Sequence, residues 1–420
     1  MKIVLLSGGK GKRLWPVSTD NAPKQFAKIF KDSSNMLERT INEVKYVETE
    51  ENIFIATCCE YKKAVKKYIN KKNIIIEPGM IGTFGAILNI AVHLKYNNDC
   101  KEDEIVSVVP IDHDVDEKFY TILKDAKERI EESKTDICLI GINPTYPSTQ
   151  YGYILTENGF VKQFKEKPDL NGAIELIAEE ALWNSGLVIF RLKRILEIAH
   201  QYLKFKNYKE FNEKYLTLPH ISFDYEVLEK EKKLSIVKSN SSWNDIGTWE
   251  VLADKIRPAD EHNTNIINFE QKEIRNQGVE NTILVNSPYG VLITPKTKQN
   301  TVYKNWGYYE VISEEDSEEY HVKTKKLTLF PNKNISYQYH DIRSETWYVL
   351  SGKGEAIING ELIKLKAGDV LNINKKEKHS IKAITYLEII EVQHGKEKNT
   401  EDDIVRLELE WDKINLTKTK

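Results

Sequence analysis

Apolar residues come in short blocks that repeat with helical segments between them. Lys2-Ile3-Val4-Leu5-Leu6 reads as a buried strand, and Ile53-Phe54-Ile55-Ala56-Thr57, Asn73-Ile74-Ile75-Ile76-Glu77 and Ile105-Val106-Ser107-Val108-Val109 read the same way. A Lys- and Tyr-rich helix is expected from about Tyr61 to Asn70, and a mostly apolar one from Gly85 to Leu94. Helices of this length between buried strands predict parallel pairing with helices on both faces, a doubly wound sheet. Beyond about Arg257 the pattern fades into a polar stretch, 258–277, followed by short apolar runs at Thr282–Val285 and Gly290–Ile293. From Asn305 onward it turns all-β. Lys325–Phe330, Trp347–Leu350, Glu355–Ile358 and Leu371–Ile373 are strand candidates, with turns at Ser351-Gly352-Lys353-Gly354, Asn359-Gly360 and Ala367-Gly368-Asp369. That spacing predicts a sandwich or barrel. The expected organisation is an α/β domain over 1–260, a short β-rich connector over 261–300 and an all-β domain over 301–420.

Composition narrows the class. The 420 residues carry 61 Lys+Arg against 64 Asp+Glu, a net charge of −3, which argues against broad nucleic-acid binding. No apolar run approaches membrane-spanning length, and Met1-Lys2 leads straight into a core strand. Neither a membrane nor a nucleic-acid partner is expected, and the cytoplasm is the expected location. Cys58, Cys59, Cys100 and Cys138 lack metal-pair spacing, so free buried thiols are expected, with Cys58 and Cys59 on opposite faces of a strand.

The first strand ends in Ser7-Gly8-Gly9-Lys10-Gly11-Lys12-Arg13-Leu14-Trp15-Pro16. Glycines let backbone N–H groups approach phosphate oxygens, and Lys12, Arg13 and Lys24 add positive charge for a polyphosphate. An ordinary strand turn with a solvated basic patch would look similar, since neither the P-loop ending nor a third dinucleotide glycine is present. Asp112, in Pro110-Ile111-Asp112-His113 just past a strand, is either a helix cap or a carboxylate holding Mg²⁺ against phosphates. Phe164-Lys165-Glu166-Lys167-Pro168 is either a charged turn or an ammonium and carboxylate set for a sugar phosphate. In the all-β part, Gln338 and His340 are two apart and share a strand face, and Glu345 and His379 can converge on them as a mixed N/O metal site.

Read together, Leu6-x-Gly-Gly-x-Gly-x-Arg-Leu-Trp-Pro and Pro23-Lys24-Gln25-Phe26 resemble the signature of sugar-nucleotide pyrophosphorylases, most closely the mannose-1-phosphate guanylyltransferase branch. Tyr151-Gly152-Tyr153-Ile154, Trp183-Asn184-Ser185-Gly186, Ser222 to Lys230 and Trp243-Asn244-Asp245-Ile246-Gly247 continue the resemblance in order. The all-β part resembles a cupin, the double-stranded β-helix of bifunctional phosphomannose isomerase/mannose-1-phosphate guanylyltransferases, and its tail, including Glu388 to Gln393 and Glu401 to Arg406, matches as well.

The resemblance implies a doubly wound, Rossmann-like mixed sheet for the α/β domain, and GDP-mannose formation from mannose 1-phosphate and GTP. It implies Leu6, Gly8, Gly9, Gly11, Lys12, Arg13, Lys24, Glu77, Pro110 and Asp112 at the nucleotide. Tyr151, Gly152, Glu166, Lys167, Asn184, Gly186 and Asp224 would face the sugar, with Glu229 at a similarly matching place. Asp112 and Asp245 would hold Mg²⁺. Arg13, Lys24, Asp112, Lys167 and Asp245 would carry the catalysis. In the cupin, Gln338, His340, Glu345 and His379 would hold Zn²⁺ or another divalent transition metal, with Arg343 stabilising negative charge during isomerisation. The partners are then NTP and sugar 1-phosphate, and an exposed connector edge would suit a homo-oligomer.

Two departures bear on this. The family's Glu-Pro-x-x-Arg-Asn-Thr reads Glu77-Pro78-Gly79-Met80-Ile81-Gly82-Thr83, and the arginine expected after His379 is Ser380. They leave open another base or another sugar 1-phosphate, such as a heptose, with the cupin a non-catalytic metal and sugar-phosphate module.

Overall fold

The computed structural model describes residues 1–8, 14–19, 23–30, 34–116, 118–260, 262–296, 301–304, 306–317, 319–396 and 403–416. The chain divides into two compact units, Met1–Thr297 and Lys298–Lys420.

The first unit contains β1 (Lys2–Ser7), β2 (Ile53–Cys58), β3 (Ile74–Glu77), β4 (Ile105–Pro110), β5 (His113–Val115), β6 (Ile137–Ile142), β7 (Tyr153–Glu157), β8 (Phe160–Lys165), β9 (Leu182–Arg191), β10 (Leu234–Ser239) and β11 (Trp243–Asp245). Among the described residues, nine of these form one mixed sheet in the order β3-β2-β1-β4-β9-β6-β10-β8-β7. The strands β3 to β4 are parallel, as the strand–helix alternation predicts, but β9 enters antiparallel to both β4 and β6. Alternate residues feed two separate cores: Val4, Phe54 and Val106 on one face, Ile3, Leu5 and Ile55 on the other. Both faces are dry because helices cover both, which is why these strands read as continuous apolar runs.

Parallel pairing also lines up the carboxyl ends. Leu6 lies opposite Pro110 and Cys58 opposite Glu77, so Gly8, Glu77 and Asp112 emerge at one edge. The helix Met36–Val44 starts there with a capping box: the Asn35 side chain accepts from Glu38 N–H, and Glu38 accepts from Asn35 N–H.

Several expectations shift. The helix expected over 61–70 shrinks to a 3₁₀ turn at Cys59–Tyr61 and one α turn at Lys62–Val65. Lys62, Lys63, Lys66 and Lys67 keep to one side while Tyr61, Val65 and Ile69 are buried on the other, but the regular α-helix ends within one turn. Cys59 is exposed, not buried, because the strand ends at Cys58 and the turn begins at Cys59. The helix expected over 85–94 runs Thr83–Asn97.

The segment 261–300 supplies β12 (Asn265–Asn268), β13 (Thr282–Ser287) and β14 (Gly290–Pro295), a small sheet within the first unit. Its Ile267, Ile283 and Val285 share a core with Leu14, Ile29, Met36, Ile246, Trp249 and Leu252. The strand β12 lies inside the polar stretch where no strand was expected. Its two apolar residues, flanked by asparagines, are too short a run to stand out.

The second unit is all-β. Its strands are β15 (Thr301–Lys304), β16 (Gly307–Asp316), β17 (His321–Leu329), β18 (Tyr337–Tyr339), β19 (Arg343–Ser351), β20 (Lys353–Ile358), β21 (Glu361–Lys366), β22 (Val370–Ile373), β23 (His379–Ala383), β24 (Leu387–Gly395) and β25 (Val405–Glu408). They form two sheets, β15-β16-β17-β24-β19-β22 and β21-β20-β23-β18-β25. Between them lies an apolar core that includes Leu327, Leu329, Trp347, Val349, Ala356, Ile381, Leu387 and Ile389. Along β19 the buried positions alternate through Arg343, Glu345, Trp347 and Val349, and along β24 through Leu387, Ile389, Glu391 and Gln393. The inward face therefore changes from apolar to charged along each strand. Charges are buried only where something pairs with them, which marks that end as a site.

Candidate functional sites

In the first unit the strand ends gather two groups of side chains. The turn Pro23-Lys24-Gln25-Phe26 carries Lys24 against the end of β4, where its Nζ donates to Asp112 Oδ2 at 2.5 Å and to Ile246 O at 3.4 Å. The two-stranded sheet of β5 and β11 sets Asp245 opposite His113, and Ile246 N–H donates to Asp112 O at 2.8 Å. Asp245, more than a hundred residues further along the chain, is thus opposite the residue that follows Asp112. Burial raises the Asp112 carboxyl pKa, but Lys24 and His113 outweigh it and hold the group below its ordinary value. Burial pushes His113 down to about 4, so its imidazole is neutral at physiological pH.

The donor types fit a hard cation: two carboxylates near the strand ends, one balanced by an ammonium that a cation could displace. Nearby, Glu77 is buried, accepts from Tyr215 Oη at 2.7 Å and lies across from Gly8. Burial keeps its carboxyl above the ordinary range despite that bond. Gly9, Gly11, Lys12 and Arg13 lie outside the described residues.

The second group lies where β7, β8 and β9 meet a π-turn at Asp224–Leu228. Lys167 Nζ donates to Glu166 Oε1 at 2.7 Å, Asn184 Nδ2 to Asp224 Oδ1 at 3.0 Å, and Glu166 N–H to Glu229 Oε1 at 2.9 Å. Asn184 N–H donates to Gly152 O at 2.8 Å, and a Cβ on Gly152 would fall 2.6 Å from Glu166 Oε2. Gly186, at φ +78°, packs beside Pro110. Burial, with Glu166 close by, lifts the Asp224 carboxyl to about 6. Tyr151 is placed differently from the rest: its ring packs 5.0 Å from Trp183 and 5.2 Å from Trp243. Carboxylates, an amide and one ammonium crowded together suit a polyol carrying a phosphate.

In the second unit, His340, Glu345 and His379 come together with one donor atom from each within 4.8 Å of the others. His340 Nδ1 donates to Asp403 O, and His379 Nδ1 bonds Glu377 O at 2.8 Å. A carbonyl can only accept, so both Nδ1 atoms carry a proton and both Nε2 atoms face inward. His340 Nε2 lies 3.1 Å from Glu345 Oε1, and His379 Nε2 has no hydrogen-bond partner. An imidazole nitrogen that close to a carboxylate oxygen shares a proton or a cation with it, so positive charge lies between or beside them. Arg343 supplies part of it, donating to Glu345 at 3.0 Å and to His340 Nε2 at 3.3 Å. Burial raises the Glu345 pKa, but the two imidazoles and Arg343 hold it far below the ordinary carboxylate range. Borderline nitrogen ligands plus a carboxylate fit zinc or a similar transition metal.

Gln338 lies opposite His379 in register, with its Oε1 accepting from Ser336. Ser380 points to the other face of β23, fully buried, with its hydroxyl donating to Ile335 O. The position where an arginine was expected therefore faces away from the cluster.

A cavity of about 260 Å³ adjoins the cluster, lined by Lys304, Lys325, Arg343, Glu345, Glu391 and Arg406 among others. Burial, reinforced by Glu345, pushes Glu391 up to about 7. Sequence reading named the Glu388–Gln393 and Glu401–Arg406 segments without giving a role to Glu391, Lys325 or Arg406. The available signal was Glu391 and Gln393 continuing the inward alternation of Leu387 and Ile389 with polar residues.

The two sites define a phosphate-handling α/β transferase unit joined to a β unit with a metal-type cluster. Comparison with known proteins agrees. Residues 2–262 match the nucleotidyl transferase family, so the chain belongs to that family. Residues 294–409 match the mannose-6-phosphate isomerase C-terminal family. A mannose-1-phosphate guanylyltransferase of Klebsiella pneumoniae is 29% identical over 478 residues, covering 96% of this chain and 98% of that protein. The xanthan biosynthesis protein XanB of Xanthomonas campestris pv. campestris (strain B100) is 29% identical over 470 residues, covering 96% and 97%. A solved structure from Thermus thermophilus, described as a mannose-1-phosphate geranyltransferase, matches with TM-score 0.60 and 25% identity, over 70% of this chain and 95% of that one.

Proposed function

We propose that the chain forms GDP-mannose from mannose 1-phosphate and GTP with release of pyrophosphate. One observation carries this reading: Lys24 bonds Asp112 at the strand ends beside Gly8, Asp245 stands opposite His113 on the adjoining pair of strands, and Glu166, Lys167, Asn184 and Asp224 form a second polar group. A sugar 1-phosphate oxygen attacks the α-phosphorus, the new P–O bond forms, and the bond to the β-phosphate oxygen breaks. The nucleophile is already anionic, so positioning and charge neutralisation suffice without a general base. Lys24 and Arg13 offset triphosphate charge. Lys167 receives the sugar phosphate, and Glu166, Asn184 and Asp224 receive sugar hydroxyls. Asp112 and Asp245 would hold Mg²⁺, which when bound adds charge neutralisation at the phosphates.

A second reading changes the base or the sugar. In place of the family's Arg-Asn pair, Ile81 is buried in the core, and Gly82 sits at φ +99° where a Cβ would meet Ile221 O at 2.4 Å. Apolar packing has replaced two polar groups there. Pyrophosphate release measured over a grid of nucleotides and sugar 1-phosphates tests both: turnover confined to GTP and mannose 1-phosphate supports the first, and preference for another pair replaces it with the second.

The β unit is read as a cupin in which His340, Glu345 and His379, with Gln338 alongside, hold Zn²⁺ or another divalent transition metal. The metal when bound would polarise sugar oxygens, while Arg343 steadies negative charge. Conversion of fructose 6-phosphate to mannose 6-phosphate, assayed with and without chelator, tests isomerase action. Absence of turnover in the metal-loaded protein would leave a binding module.

A further inference from the structure

The C-terminal strand β25 and the residues just before it reach the cluster from outside the two-histidine motif. Asp403 contributes twice: its carbonyl accepts the His340 Nδ1 proton, and its carboxylate accepts Asp341 N–H at 2.9 Å and Ile342 N–H at 3.4 Å. The carboxylate clips the segment onto the 341–342 turn, and the carbonyl then fixes the tautomer and orientation of the His340 ring. Two residues on, β25 pairs with β18, setting Arg406 opposite Gln338 and Val405 opposite Tyr339. Ile404, Arg406 and Leu409 line the cavity beside the cluster, as do Lys304 and Lys325. One short segment, Asp403 to Leu409, therefore reaches both the metal-type cluster and the cavity wall that carries these cations.

We infer that this terminal strand is a working part of the β-unit site: Asp403 is a positioning residue for the His340 metal ligand, and Arg406 receives the dianionic end of a phosphate monoester in the adjoining cavity. The inference rests on reading His340, Glu345 and His379 as metal ligands. A guanidinium suits that role because its planar fork matches phosphate oxygens. Because Asp403 anchors the segment that leads into β25, loosening Asp403 also displaces Arg406, whereas removing the Arg406 guanidinium leaves Asp403 in place. The coupling is one-way.

Zinc affinity of the full chain, by competition with a chromogenic chelator, and inorganic phosphate affinity of the zinc-loaded protein, by calorimetry, test this. Asp403→Ala is expected to weaken zinc by about 10–100-fold, the usual cost of losing a partner that orients a metal-bound imidazole. Asp403→Asn, which keeps an acceptor oxygen, is expected to retain most of that affinity and guards against simple misfolding. Arg406→Ala is expected to leave zinc affinity unchanged and weaken phosphate by about tenfold, roughly one charged hydrogen bond. Asp403→Ala binding zinc as well as wild type, or Arg406→Ala binding phosphate as well as wild type, overturns the corresponding half. Wild type that takes up no zinc overturns the metal reading itself, which is a separate and distinguishable result.

Discussion

The two candidate sites are built on opposite plans. The transferase site sits at the open ends of strands, and its charges are engaged with one another: Lys24 holds Asp112, and Lys167 holds Glu166. On the function proposed above, a nucleotide and a cation would exchange into those pairs, and the ligands would complete the site. The β-unit cluster lies inside a two-sheet core, where backbone carbonyls pin both imidazoles and leave their Nε2 atoms facing one buried carboxylate. It is completed before any ligand arrives. The lesson is that preorganisation here follows burial. A charged side chain in the core must be fixed by partners, whereas one at a strand mouth can wait for substrate.

The sharpest break in that comparison is at the transferase carboxylates. Asp112→Asn and Asp245→Asn are each expected to lower pyrophosphate release at saturating Mg²⁺ by at least about 10²–10³-fold, with the melting temperature little changed. Full activity of either variant at low Mg²⁺ would make that aspartate a cap or turn residue. Lys24→Ala is expected to cost about 10²-fold in kcat/KM, and a near-normal rate would place the phosphates elsewhere.

At the β unit, His340→Ala is expected to abolish stoichiometric zinc uptake, read by elemental analysis, while pyrophosphate release stays within about twofold of wild type. A parallel loss of transferase rate would show that the two units do not act independently. Zinc binding to wild type without substrate, against weak Mg²⁺ binding without nucleotide, is the direct measure of the contrast.

Asp224 gives a smaller, pH-dependent effect. Its carboxyl titrates at about 6 in the fold against 3.8 ordinarily. A raised folded pKa favours the fold below the unfolded value, and that contribution is lost as pH rises through about 6. Asp224→Asn should therefore gain melting temperature relative to wild type as pH climbs through that window, while its KM for sugar 1-phosphate rises at neutral pH. A difference in melting temperature that stays flat with pH would show that the carboxyl is not held neutral.

The smallest expected effect is at β14. Gly290, at φ +144°, leaves room for Trp15, and a Cβ there would lie 2.8 Å from the indole. Gly290→Ala is expected to destabilise the first unit by about 1–2 kcal/mol in chemical denaturation. An unchanged midpoint would show that Trp15 gives way freely.

The sequence by itself determined the main buried strands and the change from an α/β to an all-β pattern along the chain. Continuous apolar runs can only be buried on both faces, and alternating ones only on one, so the two architectures were written in the period of the pattern. It also determined which residue types would meet phosphate or metal, because chemistry restricts those to a few side chains. Tertiary structure alone decided the pairings. The antiparallel entry of β9, the placing of Asp245 opposite His113 across β5 and β11, and the fold-back of Asp403 onto His340 all join residues far apart in the chain. It also decided that Ser380 faces away from the cluster and that the 261–300 segment packs with Leu14 and Trp249. No local pattern encodes such contacts, because they depend on which strands become neighbours, and that is settled by packing over the whole core.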